Sequence, residues 1–138
     1  MALQEDLIVD IPESRVKFFG ATGKMLLPCP ATVAALIQEI PVHKLVTIDL
    51  ILQKLTKQFN VQGTCPVTTK KAIRTLASDR DNPVAYWRVL NKNGGLVANY
   101  PGGVQSHAAH LRNEGFAVDT TGKTPKVKNF SASLMQFS

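Results

Sequence analysis

Three stretches with apolar residues at helical spacing, prolines placed for a helix first turn, and an aromatic, β-branched run ending in a glycine turn predict a mainly α fold with a small β wing. A chain of 138 residues is long enough for one compact core and short for two. Its 44% hydrophobic and 19% charged residues are ordinary for a folded globular protein and argue against disorder of the whole.

Residues 1–24 mix charges with a strand-like "VKFFG" and end in "GATGK", a glycine-rich loop without the second half of a phosphate-binding P-loop. They read as an extension packed on a domain spanning 25–118. The first helix of that domain is expected from Pro30, with Val33, Leu36, Ile37 and Ile40 as its stripe and Pro41 as its stop. The second is expected from about Ile48 to Phe59, with Thr47 as N-cap, Asp49 in the first turn, and Ile48, Ile51, Leu52 and Leu55 as its apolar stripe. Pro66 opens a third, short helix that turns Ile73, Leu76 and Ala77 inward and Lys70, Lys71 and Arg74 outward. "SDRDNP" breaks the chain, "VAYWRVL" reads as a strand, and "NKNGG", "LVAN" and "YPGG" complete a loop or wing. A last helix enters through Gly102 and Gly103 and ends at Gly115. Residues 119–138, rich in Thr, Ser and Lys with little periodicity, read as a mobile or loosely docked tail.

The formal charge of +6 and a pI near 9.6 favour an anionic partner, nucleic acid first, although solubility alone also accounts for such a charge. The acidic start "MALQEDLIVDIPES" lacks the pattern of a secretory signal, and no apolar run approaches the roughly 20 residues of a membrane helix. A cytoplasmic monomer, off the membrane and with both cysteines reduced, is the expectation. Helix, helix, short basic helix and wing is the order of a winged helix-turn-helix, a DNA-binding domain whose second paired helix enters a groove. The plainer alternative makes the basic helix a solvated face.

Four landmarks narrow this further. "IPVHKLVT" follows the first helix, "NPV" precedes the strand, "RVLNKNGGLVANYPGG" spans the wing, and "HLRNEG" ends the last helix. In this order they resemble the DNA-binding domain of the alkylguanine-DNA alkyltransferases and alkyltransferase-like proteins, over Val33 to Gly115. "TCPVTT" and "AYWRV" are similar to the motifs of one branch of that family. Transferases of the family carry Pro-Cys-His-Arg-Val, whose thiolate takes the alkyl group, whereas this chain has Ala85, Tyr86, Trp87, Arg88 and Val89. A phenol with an ordinary pKa of about 10 is a poor nucleophile at neutral pH, and an indole supplies no base. The resemblance therefore implies no catalytic residue and no cofactor, with double-stranded DNA as partner, alkylated guanine as the recognised lesion and excision-repair proteins as downstream partners. It also implies a lesion pocket of Tyr86, Trp87 and Tyr100, phosphate contacts from Lys44, Lys70, Lys71, Arg74 and Arg88, and a hinge at Asn82.

Departures from the family pattern fall at the site. The tyrosine that supports a flipped nucleotide is Ile48, the glycine after IP-x is His43, and the arginine finger falls on Lys70 or Lys71. Ile73, Arg74 and Thr75 crowd the place of a glycine pair, and the serine of NYSGG is Pro101. For Tyr86 and Trp87, packing beneath the wing stands beside the pocket role. Arg88 either holds phosphate or forms an internal bridge, and Glu114, which matches the family glutamate, is structural without its histidine link. His107 and His110 have an i, i+3 spacing but no nearby cysteine, so no metal is expected. Two rival functions remain: thiol chemistry or residual transfer at Cys65, whose place at a helix start favours a thiolate, and a protein-interaction module that keeps the scaffold alone.

Overall fold

A computed structural model of the chain describes residues 4–81 and 83–137. Strand β1 (Leu7–Asp10), helix α1 (Glu13–Phe19) and strand β2 (Lys24–Leu27) form the N-terminal unit. Helix α2 (Pro30–Gln38), strand β3 (Val46–Thr47), helix α3 (Ile48–Gln58), strand β4 (Gly63–Thr64) and helix α4 (Pro66–Ser78) follow. Strand β5 (Val89–Leu90), helix α5 (Gly103–Asn113) and strands β6 (Val118–Asp119) and β7 (Lys126–Val127) complete the order. Among the described residues the fold is mixed α/β, with five α-helices and three small sheets, where the sequence predicts a mainly α domain.

The additional β structure comes from pairings between distant segments. Residues 1–24 contribute β1, which pairs antiparallel with β2, and β2 in turn runs parallel to β4. Ile11 and Met25 pack with Cys65 beneath this sheet. The predicted boundary before residue 25 therefore falls within β2.

The core follows the stripes read from the sequence except at Leu52, which is half-buried and lines a separate surface cleft with Phe18 and Phe19. Val33, Leu36, Ile37 and Ile40 meet Ile51, Leu55, Ala72, Ile73 and Leu76 in one cluster. Thr47 does precede α3, but its side chain makes no cap bond. Its buried place in β3, paired with Leu90, takes it away from the helix N–H groups. Gly115 stands just past α5 at φ +90°, as a C-terminal glycine should.

Three segments depart from expectation: the strand-like "VKFFG" lies in helix α1 and its C-terminal Gly20, and two more follow. "VAYWRVL" is not a continuous strand: Tyr86–Arg88 is a turn of 3-10 helix, and only Val89 and Leu90 pair, parallel to Val46 and Thr47. The aromatic side chains find more contact folded against one another than in an alternating strand, so packing overrides β-propensity. The tail does not hang free. Val127 is buried, Leu96 N–H donates to Pro125 O, and Met135 N–H donates to Leu45 O. Phe130 lies on Gly94, where any Cβ would fall 2.3 Å from the ring and where φ is +83°.

Candidate nucleic-acid interface

Helix α4 presents the basic face. Pro66 sits in its first turn, where the missing N–H costs no hydrogen bond, and the Thr69 hydroxyl donates to Cys65 O. Thr69, Ala72, Ile73 and Leu76 are buried, leaving Lys70, Lys71 and Arg74 exposed on the opposite side. Lys44 is also exposed, in the loop before β3. Lys70 and Arg74 border a cleft of about 430 Å³, whose wall on the α3–α4 side also includes Ile48, Val67 and Ile73. Val89, Val97, Asn99 and Tyr100 line it as well, together with Thr124 from the tail. This size lies within the roughly 300–1,000 Å³ of ordinary ligand sites, and an apolar floor with polar rims is their usual make-up.

Of the predicted lesion pocket, only Tyr100 lines this cleft. Tyr86, Trp87 and Tyr100 are together, but they fill the space between them. Tyr86 meets Trp87 edge-on at 5.3 Å and Tyr100 at 5.0 Å, and Trp87 stacks on His110 at 4.3 Å. Burial raises the pKa of the Tyr86 phenol and, more strongly, that of Tyr100, whose hydroxyl donates to Val89 O. A phenol held neutral and packed against rings is a still weaker nucleophile than a free one.

His107 sits at the centre of this packing, 1% exposed. Its Nδ1 accepts from Val97 N–H at 3.0 Å, so the proton is on Nε2, which donates to Trp87 O at 2.8 Å. Burial lowers its pKa to about 4 and, joined by the charge of His110, outweighs the hydrogen bond to Trp87 O, which favours the protonated ring. Both ring nitrogens are occupied, and among the described residues no group of three metal-ligating side chains comes together.

Arg88 is committed to partners inside the protein, the internal-bridge alternative read from the sequence. Its Nε donates to both Glu114 carboxylate oxygens at 3.0 and 3.2 Å, Nη2 to Oε2 at 2.7 Å, and Nη1 to Ile40 O at 2.7 Å. The two side chains are 16% and 12% exposed. Burial pushes the Glu114 pKa up, but Arg88, the neighbouring Trp87 indole N–H and the charge of His43 outweigh it and leave the pKa lowered. His43 stands at φ +72°, a left-handed conformation that suits the glycine of the family pattern and costs a histidine on the order of 1 kcal/mol. Its Nδ1 bonds to Glu114 O at 2.8 Å, which ties the strained loop to the end of α5. This link was not legible in the sequence, because its partners are far apart along the chain.

Cys65 is 4% exposed, and Arg15 Nη1 donates to its sulfur at 3.3 Å. Burial alone would raise the thiol pKa, but the Thr68 hydroxyl and N–H together with Arg15 leave it lowered. Arg15 lies in the N-terminal extension and was not singled out in the sequence. Neither Cys65 nor Cys29, which is also buried, borders the cleft. Asn82 lies outside the described residues.

No family model matches the chain, and no curated protein sequence does. Among solved structures, the chain is similar to Atl1 of S. pombe, crystallised in complex with damaged DNA containing O6-carboxymethylguanine. The TM-score is 0.60 at 19% identity, covering 78% of this chain and 94% of that one. The chain has the alkyltransferase-like fold. No helix among the described residues is long and apolar enough to cross a membrane.

Proposed function

We propose that this protein binds duplex DNA through the basic face of α4 and receives a displaced base, alkylated guanine in particular, in the adjoining cleft without transferring the alkyl group to itself. The observation that carries the reading is the juxtaposition of the cleft with Lys70 and Arg74 on one helix face. Cations hold phosphates, and an apolar slot beside them takes a base that has left the stack. In this reading α4 is the recognition helix of a winged helix-turn-helix and the segment from Val89 to Tyr100 is its wing. Lys71 and Lys44 add phosphate contacts, and Asn99 and the Tyr100 edge supply polarity and a ring to the base. The pocket proposed from the sequence thus moves from the Tyr86–Trp87 pair to the far side of Tyr100.

Group transfer has no support in this geometry. The phenol at the acceptor position is buried and held neutral, and the two buried thiols lie away from the cleft. Recruitment of excision-repair proteins would follow as the means by which a recognised lesion is removed. The test is fluorescence anisotropy with matched duplexes, one carrying a single alkylated guanine, at two salt concentrations. Tighter binding to the lesion supports the reading. Salt-sensitive binding without preference leaves a general DNA binder, and no binding at low salt refutes it.

A further inference from the structure

The tail places a second set of cations beside the cleft. Strand β7 pairs with β6, where Lys128 N–H also donates to Ala117 O, and it is fastened to the segment Val89–Tyr100: Leu96 N–H donates to Pro125 O and Val127 N–H to Gly94 O. Val127 points into the core, so alternation along the strand turns Lys126 and Lys128 together to the solvent. Lys123 is exposed in the loop of the hairpin, next to Thr124, which lines the cleft. The opposing acid in this segment is Asp119, which stands across from Lys126 in the hairpin and feels the charges of Lys126 and Lys128, so one negative charge faces the three lysines; its Oδ1 also accepts from Thr121 N–H at 2.9 Å and Thr121 Oγ1 at 2.6 Å. After it the sequence holds no further acidic residue. Lys70 and Arg74 of α4 and Thr124 of the hairpin line the same cleft, so two elements that carry exposed cations meet there.

We propose that the β6–β7 hairpin is a second DNA-contacting arm, with Lys123, Lys126 and Lys128 holding backbone phosphates on the side of the cleft away from α4. The inference rests on the DNA-binding reading above. Its physical content is that the hairpin is fixed, not trailing. Phe130 packed on Gly94 and Val127 in the core hold the lysines in place relative to the cleft, so less freedom is lost when phosphates are bound. A base displaced into the cleft would leave its strand's phosphates on both sides, and the hairpin supplies cations where α4 does not reach.

The test is the slope of log affinity against log salt for an undamaged duplex, compared between wild type and Lys123→Gln/Lys126→Gln/Lys128→Gln. The slope should become shallower by about 0.9 for each lysine engaged, about 2 to 3 in all. Lys17→Gln/Lys57→Gln, on α1 and the end of α3, serves as the control for net charge and should leave the slope unaltered. If wild type binds with a steep slope and the hairpin variant keeps it, the hairpin inference falls while the DNA-binding reading stands. An equal loss per charge in the control also overturns the inference. If wild type shows no salt-dependent binding, both fall.

Discussion

Replacing Arg88 by methionine removes the guanidinium from a site where it closes three bonds to Glu114 and one to the Ile40 carbonyl. Because both side chains are nearly buried, solvent cannot replace those bonds. The carboxylate is left as an uncompensated charge, and the expected loss is about 3–5 kcal/mol. At about 4 °C per kcal/mol for a chain of this length, the midpoint of thermal unfolding should fall by about 12–20 °C. Urea unfolding followed by far-UV circular dichroism gives the free energy directly. The sign of the acid dependence is fixed as well. The Glu114 pKa is lowered in the fold, so its contribution is complete above the ordinary carboxyl value of about 4.3 and is lost as pH falls through the lowered folded value. In Arg88→Met that part of the acid loss should flatten. Arg88→Met/Glu114→Leu should recover most of the stability, since two apolar groups leave no charge behind. A single variant within about 0.5 kcal/mol of wild type would refute the assignment of this pair as a structural tie.

Further expectations concern other sites. His107, neutral at neutral pH with a pKa near 4, should cost the fold up to about 3 kcal/mol as pH falls from about 6.5 to 4. His107→Leu should abolish that slope in urea unfolding, and an unchanged slope would place the titration elsewhere. Ala98→Trp, which puts an indole into the cleft, should remove any lesion preference in anisotropy while leaving the salt dependence for undamaged duplex. Loss of both would mean that the cleft is not separate from the phosphate-binding face. Despite the lowered thiol pKa, Cys65 should label with a thiol reagent only as the protein opens, because it is 4% exposed. Rapid native-state labelling would revive thiol chemistry there.

The helices were legible because their signals are local. The stripe Val33, Leu36, Ile37 needs only a period of 3.6, and Pro30 and Pro66 mark helix starts by removing an N–H that no bond needs. The sheets were not, because pairings such as Val46 with Val89 or Gly95 with Lys126 join segments with no shared local pattern. Of the proposed site, the outward face of α4 was legible in the sequence and the geometry around it less so. Lys70 and Arg74 reach the cleft as a basic helix face would. Alternation could not show that Tyr86 and Trp87 turn into a 3-10 helix and spend their faces on each other. Arg88 beside an aromatic pair reads equally as phosphate ligand or bridge until Glu114, 26 residues on, is found against it.

The docked tail has a consequence for biogenesis. Leu45 N–H donates to Ser133 O and Met135 N–H to Leu45 O, so the start of β3 is clamped by residues from the far end of the domain. During synthesis those partners emerge long after α2 and α3. Until then the backbone at Leu45, a residue fully buried in the finished fold, lacks this clamp and remains open to pairing with another nascent chain. Between translation of Leu45 and of Met135 this backbone therefore waits for its partners, and slow elongation through the tail would lengthen that interval.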